Sequence, residues 1–332
     1  MVHDPLPAAP SGAGHVVLHD HLDGGVRPAT LFELCRSGGI TLPDGVRDEA
    51  GLAEWSVIRP TLTLPEAFAR FDLPIAVMRT ADGLRRVARE AAEDLVADGV
   101  VEAELRFAPT QHLGAGLSID EVVAAVVDGL ADGGLTPRVL LCAMRTERRT
   151  SEVVDVAGRW IGRGVVGVDL AGVEIGEPVG PHRAEFARAR SLGLGVTLHA
   201  GEMVGAASVA ETMDGFVPDR IGHGYRLIED CRVDDGRIVD LGPIAQRVHD
   251  ARLPLEMCLS SNALTGMPIE QHPFLTMHRA GFVITLNTDN RVLIGCSMSS
   301  ELELARRCGA TDTELAQMRA NAHAALFPAA VV

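Results

Sequence analysis

The sequence predicts an α/β fold of the (β/α)8, or TIM, barrel type. Eight strand-like segments alternate with helical ones over 332 residues, a length that suits one such barrel. The first of these strands runs into His19-Asp20-His21, where a doubly wound dinucleotide-binding sheet would carry G-x-G-x-x-G. Several predicted strands end in His, Asp or Glu beside Gly, and in a barrel all C-terminal strand ends open on one mouth.

The elements follow in order. Residues 16–19 are apolar and β-branched up to the histidine pair. A helix over 31–37 follows Pro28-Ala29-Thr30. Residues 38–63 read as irregular, with Gly, Pro and Asp punctuation. Residues 64–78 and 83–97 read as helices, with Leu64, Phe68 and Phe71 at i, i+4, i+7 on one face. Residues 100–107 form the second strand, and 118–131 a helix with Ser118 and Glu121 in capping-box spacing. Strands over 138–144, 165–170, 195–198, 220–222, 254–258 and 282–286 alternate with helices over 151–163, 181–192, 206–213, 241–251 and 274–279. Helices over 300–307 and 311–326 close the chain, the last with Thr311 as N-cap. Residues 1–14 are rich in Pro, Ala and Gly and read as a flexible leader, ahead of a single domain over 15–328.

The bulk numbers exclude several functions. A net charge of −15 repels phosphate backbones, which argues against nucleic acid. No apolar run is long enough to span a bilayer. The six cysteines are scattered without a C-x-x-C pair, which points to free thiols in a reducing, cytoplasmic setting. There is no lysine, so a carboxylated-lysine bridge between two metals is impossible.

His19 and His21 are spaced i, i+2 and therefore face the same side of a strand. Alone, that pair suits two solvated histidines as well as a metal site. The other strand ends add His199 and Glu202, His223, and Asp289-Asn290. Singly, His199 is a core histidine, Glu202 a solvated carboxylate, His223 a turn residue between glycines, and Asp289 a helix cap. Jointly, they fall in one register at one mouth. Three imidazoles and a carboxylate form a mononuclear zinc-type set, with His19, His21, His199 and Asp289 as candidates and one Zn2+ per chain. Glu202 and His223 remain as acid/base groups.

At these residues the chain resembles the adenosine deaminase family. The motifs are HDHLDGG (19–25), DLAG (169–172), LHAGE (198–202), RIGHG (220–224), LEMCLSSN (255–262) and LNTDN (286–290), in family order. The resemblance implies a barrel of the metallo-dependent hydrolase type, with extra helices over the mouth, and zinc-dependent hydrolytic deamination of a 6-aminopurine nucleoside. It assigns zinc to His19, His21, His199 and Asp289. It makes Glu202 the proton donor to purine N1, and His223, with Asp289 beside it, the group that orients and deprotonates water. Asp23 would meet the ribose 5′ side, the Gly172 backbone N3, and Asn290 N7, with His21 also bordering the substrate. Asn290 departs from the family's aspartate, Val173 intervenes before Glu174, and Leu259 replaces a proline. His/Cys/Cys zinc deaminase spacing is missing, which separates the chain from editors of flipped bases.

The expected partner is a small purine nucleoside, adenosine or deoxyadenosine, and the protein a monomer or homodimer. Trp55, Leu64, Phe68 and Phe71 suit an apolar lid as well as ordinary helix packing. Arg145, Arg148 and Arg149 follow the third strand at the predicted mouth and suit an anionic extension, which keeps 6-aminodeoxyfutalosine as a rival substrate. A silent nucleoside receptor would have lost Glu202 or a metal ligand. A lactone- or amide-cleaving amidohydrolase would have no use for Glu202.

Overall fold

The computed structural model describes residues 14–329, so the expected leader lies outside the described residues save for Gly14. The strands are β1 (His15–His21), β2 (Val100–Phe107), β3 (Val139–Met144), β4 (Val165–Ala171), β5 (Gly195–Ala200), β6 (Arg220–His223), β7 (Cys231–Asp234), β8 (Arg237–Leu241), β9 (Leu255–Met257) and β10 (Ile284–Leu286). Eight of them form one parallel sheet in the order β1-β2-β3-β4-β5-β6-β9-β10. The helix between most successive strands is what parallel pairing demands. Strands β7 and β8 pair only with each other, as an antiparallel hairpin.

The sheet closes on itself beyond the end of β10. The His21 N–H donates to the Asp289 carbonyl at 2.6 Å, and the Asp289 N–H to the His19 carbonyl at 2.9 Å. Lower on the seam a side chain replaces the ladder: Asn287 Oδ1 accepts the N–H groups of Leu18 (2.8 Å) and His19 (3.2 Å). Closure therefore brings the two histidines of β1 against Asp289.

Two different interiors result. Between sheet and helices the packing is aliphatic, as the composition requires, with Val87, Leu105, Val126, Leu141, Leu198 and Ile221 all buried. The lumen instead holds buried Glu104, Arg106, Asp169, Arg220 and Glu256, where a barrel of this kind ordinarily stacks Val, Ile and Leu. Phe327 plugs the end where the strands begin, packing with Leu140 and Val166. Among the described residues no helix is long and apolar enough to cross a membrane.

The expected elements form, with informative departures. The predicted helix over 64–78 is two short ones, Leu64–Phe68 and Asp72–Val77. Pro74 explains the break, since proline has no N–H and is tolerated only in a helix's first turn. The segment 38–63 is not wholly irregular: Glu49–Ser56 is helical, with Asp48 accepting the Gly51 N–H at 2.8 Å as N-cap. The β7–β8 hairpin and the short helices Leu259–Leu264 and Arg291–Ile294 have too few residues for a periodic signal.

The plug predicts a steric constraint. A Cβ at Gly195 would overlap the Phe327 ring, so Gly195→Ala should cost roughly 1–3 kcal/mol, read as a lower midpoint in thermal unfolding. An unchanged midpoint would show that the ring can move aside freely.

Candidate active site

Strand ends supply the site. His19 and His21 come from β1, His199 from β5, His223 from β6, and Asp289 from the turn after β10. His223 and Asp289 both take φ of +61°, a left-handed conformation costly for a residue with a side chain. Such strain is held where a strand must stop and turn a functional group into a cavity.

Three distances define the cluster. His21 Nε2 lies 3.2 Å from His199 Nε2. Asp289 Oδ1 lies 3.4 Å from His19 Nε2 and 3.5 Å from His21 Nε2. Donors about 2.0–2.1 Å from a tetrahedral centre stand roughly 3.3 Å apart, and these three separations are of that size. The outward nitrogens are fixed by what lies behind them. His19 Nδ1 meets Glu256 Oε2 at 2.9 Å, and His199 Nδ1 meets Asp169 Oδ1 at 3.1 Å. A carboxylate can only accept, so each Nδ1 carries the proton and each Nε2 presents a lone pair. His19 Nε2 is buried with no hydrogen-bond partner, as expected of a ligand atom. Burial holds His21 well below the ordinary histidine range, and thus neutral. For Asp289, burial opposes the charge, but the facing His19 and the neighbouring imidazoles prevail and hold it well below the usual carboxylate range. Ser261 donates to its Oδ2 at 2.5 Å.

His223 also lies close enough to His19 and His199 to compete for a cation, but its tautomer argues otherwise. The Cys258 N–H can only donate, and it points at Asn262 Oδ1 at 3.3 Å, which His272 Nε2 also meets at 3.1 Å. The Asn262 amide nitrogen therefore donates to His223 Nδ1 at 3.0 Å. Neutral His223 then carries its proton on Nε2, 3.7 Å from Glu202 Oε2, and burial keeps it neutral. It offers a hydrogen where a ligand must offer a lone pair.

Burial, with the charge of Asp289 second, pushes the Glu202 carboxyl up to about 8. It is an acid at neutral pH. Burial likewise pushes Asp23 up to about 6. The Glu202 loop is clamped by Glu174: its carboxylate accepts the N–H groups of Gly201 (2.7 Å), Glu202 (3.2 Å), Met203 (2.7 Å) and Val204 (2.8 Å), and the Ser208 hydroxyl. Consecutive N–H groups converging on one anion form a nest.

Around these groups lies a cavity of about 800 Å³. Its lining includes the expected Asp23, Gly172, Glu202, His223, Asp289 and Asn290, with Leu64, Phe68 and Phe71 toward solvent. Gly24 is required beneath it, because a Cβ there would overlap Asn290. Trp55 is not part of the lining; it packs under the Arg70 guanidinium, 4.2 Å from its ring centre. The arginines after β3 do not line the cavity either. Arg145 is buried and donates to the carbonyls of Glu177 (2.6 Å) and His199 (2.5 Å). Arg149 pairs with Glu152, and exposed Arg148 does not reach the lining.

Sequence reasoning missed Glu256, Arg106 and Glu174 as functional supports, and read Asp169 only as part of a motif. A signal existed for three of them. Asp169 and Glu256 are each the one charge of their strands, Val168-Asp169-Leu170 and Leu255-Glu256-Met257, and Arg106 alternates with Glu102 and Glu104 along β2. A charge so placed must find a partner across the lumen.

Comparison with known proteins bears on this geometry. A family model described as adenosine deaminase matches residues 15–330. The chain belongs to the adenosine deaminase family. It is 42% identical to an adenosine deaminase of Mycobacterium leprae over 87% of this chain and 83% of that one. It is 40% identical to adenosine deaminase 1 of Streptomyces coelicolor over 97% and 85%. Among solved structures, an N6-mAMP deaminase of arabidopsis superposes with a TM-score of 0.80 at 29% identity, covering 95% and 93%. The fold also matches an adenine deaminase of Arthrobacter aurescens, with a TM-score of 0.82, 24% identity, and 96% and 94% covered. Membership makes this chain a hydrolase of C–N bonds in cyclic amidines of the adenosine kind.

Two outcomes follow from the site. In metal-stripped protein at pH 7, an infrared difference between wild type and Glu202→Gln should show a protonated carboxyl that titrates near 8; titration near pH 4 would contradict the burial argument. Glu174→Gln loosens the nest, and misplacing Glu202 by about an ångström should lower kcat on the order of 100-fold. The bound-metal content should not change, which mass spectrometry under native conditions can check.

Proposed function

We propose that the protein is a zinc-dependent aminohydrolase converting adenosine or deoxyadenosine to inosine or deoxyinosine plus ammonia. The observation that carries this reading is one cavity in which Asp289 Oδ1 lies 3.4 and 3.5 Å from Nε2 of His19 and His21, and His21 Nε2 lies 3.2 Å from His199 Nε2, beside the Glu202 carboxyl that burial pushes up to about 8. His19, His21, His199 and Asp289 would hold the cation; when bound, zinc lowers the pKa of a water to about 7.

The side chains supply the rest. Glu202 carries the proton that purine N1 needs for C6 to become electrophilic. His223 Nε2–H donates a hydrogen bond to the attacking water and to the oxygen as charge develops on it. Because that nitrogen is already protonated, the Asp289 carboxylate takes the water's proton and passes it to the amino group, which leaves as ammonia when the C6–N bond breaks. Asp23 would meet the ribose 5′ side, the Gly172 backbone N3, and Asn290, with an amide donor, N7; all three line the cavity. His21 borders the purine as well as the cation.

The cavity also favours a neutral substrate over an anionic one. Its lining carries Asp23 and Asp72, with Asp289 committed to the cation, against a single arginine, Arg59. An anionic extension of the nucleoside finds no cationic pocket, since Arg145 and Arg149 are engaged elsewhere; 6-aminodeoxyfutalosine is the weaker reading. The six free thiols support a reducing, cytoplasmic setting. Both a monomer and a homodimer are compatible with this site.

Ultraviolet absorbance tests the reading. Zinc-loaded enzyme should convert adenosine, and Glu202→Gln should lose about 100- to 10,000-fold in kcat with zinc retained. A full-rate Glu202→Gln enzyme would remove the assigned proton donor. Across adenosine, deoxyadenosine, adenine, AMP and 6-aminodeoxyfutalosine, kcat/KM should be highest for the neutral nucleosides and lowest for AMP.

A further inference from the structure

The metal cluster sits where the strands end, and the C-terminal residues sit where they begin. One side chain joins the two. Arg220, the first residue of β6, is buried with all three guanidinium nitrogens engaged. Its Nε donates to Glu256 Oε1 at 2.6 Å, its Nη2 to Glu104 Oε2 at 2.6 Å, and its Nη1 to the Ala325 carbonyl at 2.6 Å. The opposite oxygen of Glu256 holds His19 Nδ1.

The tail is itself fixed by the groups it touches. The Phe327 N–H donates to Glu104 Oε1 at 2.6 Å, and Arg138 donates to the Phe327 carbonyl. The Phe327 ring lies against the face of Arg220, 3.6 Å from Cζ to the ring centre, in a buried position where a cation–π contact is strongest. Room for the ring is left by Gly167 and Gly195, where any Cβ would collide with it. A plain plug needs only bulk and greasiness. This one also spends its backbone N–H and carbonyls on the charged groups behind the site.

We infer that residues 325–327 are a positioning element for the metal site, holding Arg220 so that Glu256 is aimed at His19. The inference rests on the zinc reading above. In its physical logic the tail is to Arg220 what Arg220 is to Glu256: each fixes the direction of a group that has no other freedom to lose. With the ring removed, the guanidinium can tilt into the vacated space. Glu256 then shares its two oxygens differently among Arg106, Arg220, Thr197 and His19, and His19 Nε2 loses its aim.

A purely structural plug would lower stability without touching metal affinity, so the two are measured together. Zinc affinity is read by competition with a chromophoric chelator for wild type, Phe327→Ala, Phe327→Leu and Leu130→Ala, each with its thermal midpoint. Leu130 is buried in the helix shell and serves as a destabilised control. Loss of an outer-shell partner typically weakens metal binding about 10- to 100-fold, so Phe327→Ala should lose about tenfold or more. Phe327→Leu, which keeps the bulk but not the ring face, should lose less, and Leu130→Ala should bind zinc like wild type despite its lower midpoint. Phe327 variants that melt earlier yet bind zinc as wild type does would overturn the inference; if the alanine variant fails to fold, the leucine variant decides by the same comparison. Wild-type protein that binds no zinc would instead refute the zinc reading itself, and this inference with it.

Discussion

Arg106 lies at the centre of the barrel between two carboxylates, and the geometry of the site depends on it. Its Nη1 donates to Asp169 and its Nη2 to Glu256, both at 2.9 Å, and Nη2 also reaches the Leu18 carbonyl at 2.6 Å. Burial pushes an arginine toward losing its proton, but Glu256 and Asp169 together more than restore it. Those same carboxylates hold His199 and His19. One buried cation therefore lets two buried anions exist, and the two anions set the tautomers of two of the histidines proposed to hold the metal. Removing one partner of such a cluster typically costs about 3–5 kcal/mol, because the charge left behind is unpaired.

An aliphatic lumen would be cheaper to bury. An ionic one is kept here because it has direction: carboxylates accept along fixed lines, and imidazoles aimed by them present lone pairs to a single point. The same economy is visible elsewhere in the mouth. Glu174 gathers the N–H groups beneath Glu202, Asn262 fixes the proton of His223, and Ser261 orients Asp289. The seam between β1 and β10 completes the arrangement, since the backbone bonds that close the barrel are made by His19, His21 and Asp289 themselves. The bonds that close the fold and the residues that make the site are the same.

Much of this was legible in the sequence, and the limits are physical. Strand and helix periods, capping boxes such as Ser118 with Glu121, and polar residues at strand ends are local signals, and they located the barrel and the residues of its mouth. Partnerships across the lumen are not local. Arg106, Asp169 and Glu256 are separated by up to 150 residues, and nothing in the neighbours of Arg106 says which carboxylates it will meet. The same holds for Glu174, noted as an offset in a motif although its role is set by a loop 27 to 30 positions away. The arginines after β3 misled because position alone does not tell a solvated side chain from one turned inward to a carbonyl. The tail was read only as a helix end, since a plug is recognised by what it fills.

The most direct measurement is anomalous diffraction at the zinc edge from crystals of the zinc-loaded protein. The account predicts one peak per chain, bounded by Nε2 of His19, His21 and His199 and by Asp289 Oδ1, with His223 outside bonding distance. A peak ligated by His223, a second peak at Glu202, or an ordered site with no zinc density would contradict it.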